Sequence, residues 1–139
     1  MVQFRWGMVT DLVNDYLVPA AHAKKKMITA AVFPGPSLAR TMVKQDWGRW
    51  KLDAFLPMLY SEFYQAGPEW VQQQTREGVA MVKKPVYSGL FIYNMDEAAF
   101  TASVEAALAA AGIAIFSADA LNEGKAKALR RITDQRDKT

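Results

Sequence analysis

Apolar positions in this chain alternate between two kinds of segment. Short, nearly continuous apolar runs begin near Met27, Ala54, Val86 and Ile113. Each is followed by a stretch in which apolar residues recur every three to four positions, the period of a helix with one buried face. Strands alternating with helices at roughly 30 residues per unit predict parallel strands covered by helices. About four such units are expected, half of the eight that close a (β/α)8 TIM barrel. The fold class read from the pattern is therefore α/β, a half-barrel with parallel strands and a single domain over residues 1–139.

The spacing predicts a first helix from Trp6 to Lys25, with Met8, Leu12, Val13, Tyr16 and Leu17 as its buried stripe and Pro19 as a kink. Met27–Phe33 reads as the first strand, and Pro34-Gly35-Pro36 stops it. Ser37 is the expected cap of a helix through Leu38, Met42 and Val43. Leu52–Tyr60 is the second strand, with Pro57 marking a bulge or its carboxyl end. Gly67-Pro68 opens a helix carrying Trp70, Val71, Val79 and Met81. Pro85–Ile92 is the third strand, and Asp96 caps a helix over Glu97–Ala111. Ile113–Phe116 is the fourth strand, and Glu123 to about Arg131 the last helix. The polar tail, 134–139, is expected to fray.

Composition narrows the chemistry. The 139 residues contain no cysteine, which excludes thiolate catalysis, disulfides and zinc–thiolate sites. With His22 as the sole histidine, a multi-histidine metal site cannot form within one chain, and no cofactor is expected. His22, between alanines, reads as a packed or solvated side chain. No apolar run reaches the roughly 18 residues of a membrane span. The net charge of +3 is concentrated late in the chain, at Lys125, Lys127, Arg130, Arg131, Arg136 and Lys138, which read as a solvated helix face. No aromatic residue follows Phe116, so no nucleic-acid partner is expected. Phosphate-cradling glycine motifs and a Gly-x-Ser-x-Gly elbow are absent. A soluble chain is expected; no compartment follows, and a secreted or periplasmic full-length protein stays among the alternatives.

Ligands of parallel sheets bind at the carboxyl ends of the strands. Those loops contain Tyr60, Glu62 and Tyr64, then Tyr93 and Asn94, then Ser117 and Asp119. Aromatic faces mixed with hydroxyls, amides and carboxylates suit a sugar, whose ring has apolar faces and polar edges. Glu62 is the candidate catalytic acid or base, because aromatic neighbours would favour its protonated form by desolvation. Tyr60, Tyr64, Tyr93, Asn94, Ser117 and Asp119 are candidate substrate contacts. For Asp119 a helix N-cap is the competing role. The cluster Gln45–Trp50 falls on the amino-terminal side, where its tryptophans are expected to lock helix to sheet.

The segments Ala30–Pro34, Gln45-Asp46-Trp47, Pro57-Met58-Leu59-Tyr60, Tyr87–Leu90 and Gly112–Ser117 follow one another at suitable intervals. Together they resemble the carboxyl-terminal half of bacterial glycosyl-hydrolase-like TIM barrels, a family of hypothetical glycosidases. The resemblance implies action on a glycan or polysaccharide by a complete barrel, with the chain inactive without its other half. It places Tyr60 and Glu62 in a strand-six loop and Ser117 in a strand-eight loop. It also implies a carboxylate after the strand ending at Ile92-Tyr93-Asn94, where this chain has none. Two further readings stay open. One is a non-catalytic half-barrel that binds carbohydrate. The other is a half-barrel that pairs with a missing amino-terminal half or with a second copy, as a homodimer, to hide its edge strands.

Overall fold

The structure, a computed structural model, describes residues 2–138. The chain opens with one continuous helical rod: α1 (Val2–Asp11), a π-helical stretch (Leu12–Leu17) and α2 (Val18–Ala23). Its docked face differs from the expected one. Of the predicted stripe only Val13 is buried, whereas Met8, Leu12, Tyr16 and Leu17 are exposed. Polar contacts choose the face instead, at a four-residue repeat. Trp6 Nε1 donates to Arg40 O (3.0 Å), and Trp50 Nε1 donates to Thr10 Oγ1 (3.3 Å). Asn14 donates to Arg49 O and accepts from Lys51 N, and His22 Nε2 lies 3.0 Å from Asp53 Oδ2. Apolar periodicity alone could not anticipate bonds made more than 30 residues away.

The remaining elements run β1 (Thr29–Val32), α3 (Pro36–Val43), β2 (Ala54–Pro57), α4 (Pro68–Met81), β3 (Tyr87–Phe91), α5 (Glu97–Ala106), β4 (Gly112–Phe116) and α6 (Glu123–Arg136). The expected four βα units of a TIM half-barrel, built on one continuous sheet, are not found. The chain is mixed α/β with two small two-stranded parallel sheets, β1–β2 and β3–β4. Among the described residues, the backbone pairing between them is limited to two isolated parallel bridges, Phe55 with Val86 and Met58 with Gly89.

Proline explains the break. Phe55 N donates to Pro85 O and Leu59 N to Gly89 O. The ladder bond midway between them would need a donor at Pro57, which has no N–H. Pro57 thus ends β2, the carboxyl-end role allowed for it in the sequence. Gly89 faces the same junction: a Cβ there would lie 2.9 Å from Pro57 O.

Helices pack on one face of both sheets. Val32, Phe55 and Val86 meet Val13, Val18, Ala39, Trp47 and Leu52 in one core cluster. Leu59, Leu90 and Ile92 meet Val71, Phe100, Val104, Ala128 and Ile132 in the other. A buried Thr75–Ser88 hydroxyl pair at 2.8 Å ties α4 to β3. The alternating positions of the strands point the other way, and Ala31, Tyr87 and Phe116 there are exposed.

Local caps correct three expectations. Gly35, not Ser37, is the residue before α3; its φ of 51° and ψ of 131° suit glycine alone. Asn122 caps α6 by accepting from Lys125 N, so Asp119 is not a cap. The last helix continues to Arg136, beyond the end expected near Arg131. Asp96 caps α5 as expected, accepting from Ala99 N at 2.7 Å.

Candidate functional site

All paired strands are parallel, so their carboxyl ends share one side of the molecule. Alternation along each strand sends Tyr60, Phe91, Tyr93 and Phe116 to the face away from the helices. There they meet. Tyr60 lies 5.7 Å from Phe91 and 6.0 Å from Phe116, ring centroid to centroid. Phe63, from the single-turn 3-10 helix Ser61–Tyr64, sits edge-on to Phe91 at 5.1 Å. Tyr93 joins at 5.2 Å from Phe91. Three of these five rings stay open to solvent: Phe63 is 67% exposed, Phe116 52% and Tyr93 44%.

Exposed contiguous aromatic rings are costly unless something covers them. Beside them lies a cavity of about 290 Å³ lined by Phe33, Pro34, Met58, Tyr60, Phe63 and Tyr64. Tyr64 in turn stacks on Trp70 at 4.7 Å. Burial pushes the Tyr60 and Tyr64 phenols above their ordinary range, favouring further the neutral form that every tyrosine holds at physiological pH.

The polar candidates form two separate groups. In the first, Tyr93 Oη lies 2.8 Å from Ser117 Oγ and 2.8 Å from both Asp119 oxygens. Ser117 also donates to Asp119. These hydrogen bonds, Ser117 first and Tyr93 second, hold the Asp119 carboxyl below its ordinary value. In the second group, Asn94 Nδ2 donates to Glu62 Oε1 at 2.6 Å. This pair lines a different groove of about 380 Å³, with Pro68, Met95 and Ala99. Glu62 is exposed; the enclosure by aromatic rings on which its expected acid role depends is not formed.

All seven residues singled out in the sequence thus come to one end of the molecule, but not into one pocket. Tyr60 and Tyr64 line the aromatic cavity, Tyr93, Ser117 and Asp119 form the carboxylate cluster, and Glu62 and Asn94 stand in the adjoining groove. Sequence reasoning missed Phe63, Phe91 and Phe116. For two of them a positional signal was present, since Phe91 ends β3 and Phe116 ends β4; Phe63 lies in the turn Ser61–Tyr64 after β2. It also missed Lys125, read as solvated. That side chain is 4% exposed, and its Nζ donates to Ile92 O (2.9 Å) and Ala120 O (3.3 Å). It thereby fixes the backbone beside Tyr93 and Asp119. No metal-ligating cluster of three or more side chains occurs among the described residues, and no helix is long and apolar enough to cross a membrane.

The Asp119 bonds give a pH prediction. A carboxyl whose folded pKa is depressed stabilises the fold above its unfolded pKa and loses that contribution as pH falls through the folded value. Tyr93→Phe and Ser117→Ala should each move the Asp119 titration back toward the ordinary carboxylate range, Ser117→Ala by more. Carbon-detected NMR titration of the Asp119 carboxyl reads this directly; an unmoved midpoint in both variants would remove these bonds as the cause.

No protein-family model, curated protein or solved structure matches this chain.

Proposed function

We propose that the strand-end face binds a carbohydrate chain without cleaving it. The observation that supports this reading is the five-ring aromatic cluster, three rings open, flanked by hydroxyl, amide and carboxylate groups at the same end. Flat aromatic faces cover the apolar C–H faces of a sugar, and neighbouring polar groups take its hydroxyls. Asp119 is acceptor-only when ionised and suits a pair of hydroxyls. Asn94 and Ser117 add donors.

Cleavage is not part of this reading. Glycoside hydrolysis uses two carboxyl groups flanking one bond, one of them protonated. Here Asp119 is held ionised, and Glu62 stands exposed in a separate groove. We therefore expect no release of reducing ends from oligosaccharides, and we expect Glu62→Gln to change affinity less than threefold, about the weight of one exposed polar contact.

Tyr60 touches three other rings of the cluster. Tyr60→Ala should weaken binding about tenfold or more, an effect of about 1.5 kcal/mol for one lost stacking platform. Isothermal titration against a panel of soluble oligosaccharides checks both expectations. Hydrolysis that disappears in Glu62→Gln would overturn the non-catalytic reading. Equal affinity of the wild type and Tyr60→Ala would overturn the placement of the site.

A further inference from the structure

We infer that the sugar recognised at this face carries a free amino group, so that its ligand is a cationic, hexosamine-containing glycan rather than an acidic or neutral one. This inference rests on the carbohydrate reading above and sharpens it.

Charge distribution is its basis. The chain is basic overall, at +3, yet its two ends differ. The segments leading into β1, β2 and β3 contain Lys24, Lys25 and Lys26, then Lys44, Arg49 and Lys51 beside Asp46 and Asp53, then Lys83 and Lys84. These eight cations outnumber the two carboxylates on the amino-terminal side of the strands. The segments leaving the strands, 33–35, 58–67, 92–96 and 117–122, contain no lysine, arginine or histidine at all. They hold Glu62, Asp96 and Asp119. Asp96 caps α5 through a backbone bond to Ala99 N. Glu62 and Asp119 are exposed and accept from side chains, Asn94 for Glu62, and Tyr93 and Ser117 for Asp119. Their holders, Asn94 and Tyr93, are consecutive residues, so the two carboxylates flank the end of β3. Lys125, which approaches from the helix side, is buried and its Nζ is directed at the carbonyls of Ile92 and Ala120.

Such a surface discriminates by charge. An acidic sugar would meet two carboxylates and, within the strand-leaving segments, no lysine, arginine or histidine to receive it. A neutral sugar gains stacking and hydroxyl bonds only. An ammonium gains two further terms. It can form charge-assisted bonds to Asp119 or Glu62. It can also sit against the electron-rich faces of Tyr60, Phe63, Phe91, Tyr93 and Phe116, an arrangement that aromatic cages use for cationic ligands. The rings are already in mutual contact, so little ordering is needed on binding.

The test is a calorimetric titration with three hexasaccharide probes: glucosamine, its fully N-acetylated counterpart, and galacturonate. We expect the glucosamine hexamer to bind about tenfold tighter than the acetylated one, a ratio that fits one charge-assisted contact, and galacturonate to bind least. Raising the salt from 0.05 to about 1 M should shrink that ratio several-fold. Asp119→Asn should reduce it to about threefold or less, with the circular dichroism spectrum and unfolding midpoint reported alongside. Because Asp119 is exposed, the variant is expected to fold. Glu62→Gln, whose effect on affinity is expected to stay below about threefold, should leave most of the ratio in place. Loss of the ratio in Glu62→Gln but not in Asp119→Asn would overturn the assignment of the ammonium to Asp119. Equal binding of the amino and acetylated hexamers would overturn this inference and leave the carbohydrate reading standing. Tighter binding of galacturonate would do the same. Failure of all three probes to bind would overturn both.

Discussion

Trp47→Ala should destabilise the chain by about 3–5 kcal/mol, the range for removing a large, fully buried aromatic side chain. Trp47 is completely buried. Its ring packs 5.2 Å from that of Phe55, and Nε1 donates to Phe33 O at 3.1 Å. It also closes against α4, where a Cβ on Gly78 would approach Trp47 Cη2 to 3.1 Å. Truncation therefore opens a cavity between α3, α4 and the β1–β2 sheet, and it leaves the carbonyl of Phe33 without this donor. Phe33 lines the aromatic cavity, so ligand affinity should fall along with stability. Urea unfolding checks the energy: the midpoint should drop with the slope unchanged. A loss below about 1 kcal/mol would mean that α3 and β2 are held together by something other than this ring.

Lys125→Ala should cost about 2–4 kcal/mol, through lost packing of a buried stem and two carbonyls deprived of a charge-assisted donor. The ammonium has no carboxylate partner among the described residues, so its own desolvation offsets part of that contribution. Lys125→Met separates the two parts. It keeps the stem and removes the charge, and it should recover roughly half of the loss in stability. It should not recover ligand binding, because the backbone at Ile92 and Ala120, next to Tyr93 and Asp119, is no longer tied together. Chemical denaturation and titration of both variants read the two quantities separately. Full recovery of binding in Lys125→Met would show that the ammonium does not position the strand ends.

Asp53 supplies a milder device on the opposite side. Its carboxylate accepts from Ile28 N at 2.8 Å and contacts His22, and the Ile28 bond, followed by His22, lowers its pKa. Asp53→Asn should therefore reduce stability near neutral pH. The difference from wild type should fade as pH falls through the folded Asp53 value. Thermal unfolding at several pH values follows this, and a difference that persists unchanged in acid would contradict it.

Much of the element order was legible from residue spacing. Apolar runs placed β1 to β4 within a few residues, and Asp96 marked the start of α5. The sheet was not legible, because a single missing N–H at Pro57 decides whether β2 and β3 form a continuous ladder. The local sequence shows the proline but not which carbonyl it faces. The first helix misled for a related reason. Met8, Leu12, Val13, Tyr16 and Leu17 look like a buried stripe, yet all but Val13 are exposed. The opposite side docks through Trp6, Thr10, Asn14 and His22, whose partners are far along the chain. At the strand ends, candidate polar residues could be named because parallel strands dictate where ligands sit. That the strand-end rings meet one another, and that Lys125 is buried, depends on packing that no short window contains.

Amide chemical-shift mapping of the isotope-labelled chain, titrated with the glucosamine hexamer and with its acetylated counterpart, tests most directly the claim that the strand-end face binds carbohydrate. The account predicts saturable shifts confined to residues 58–65, 91–95 and 116–121, with Lys24–Lys26, Lys51 and Lys83–Lys84 unmoved. Shifts centred on the lysine-bearing ends of the strands, or no saturable shift with either probe, would contradict it.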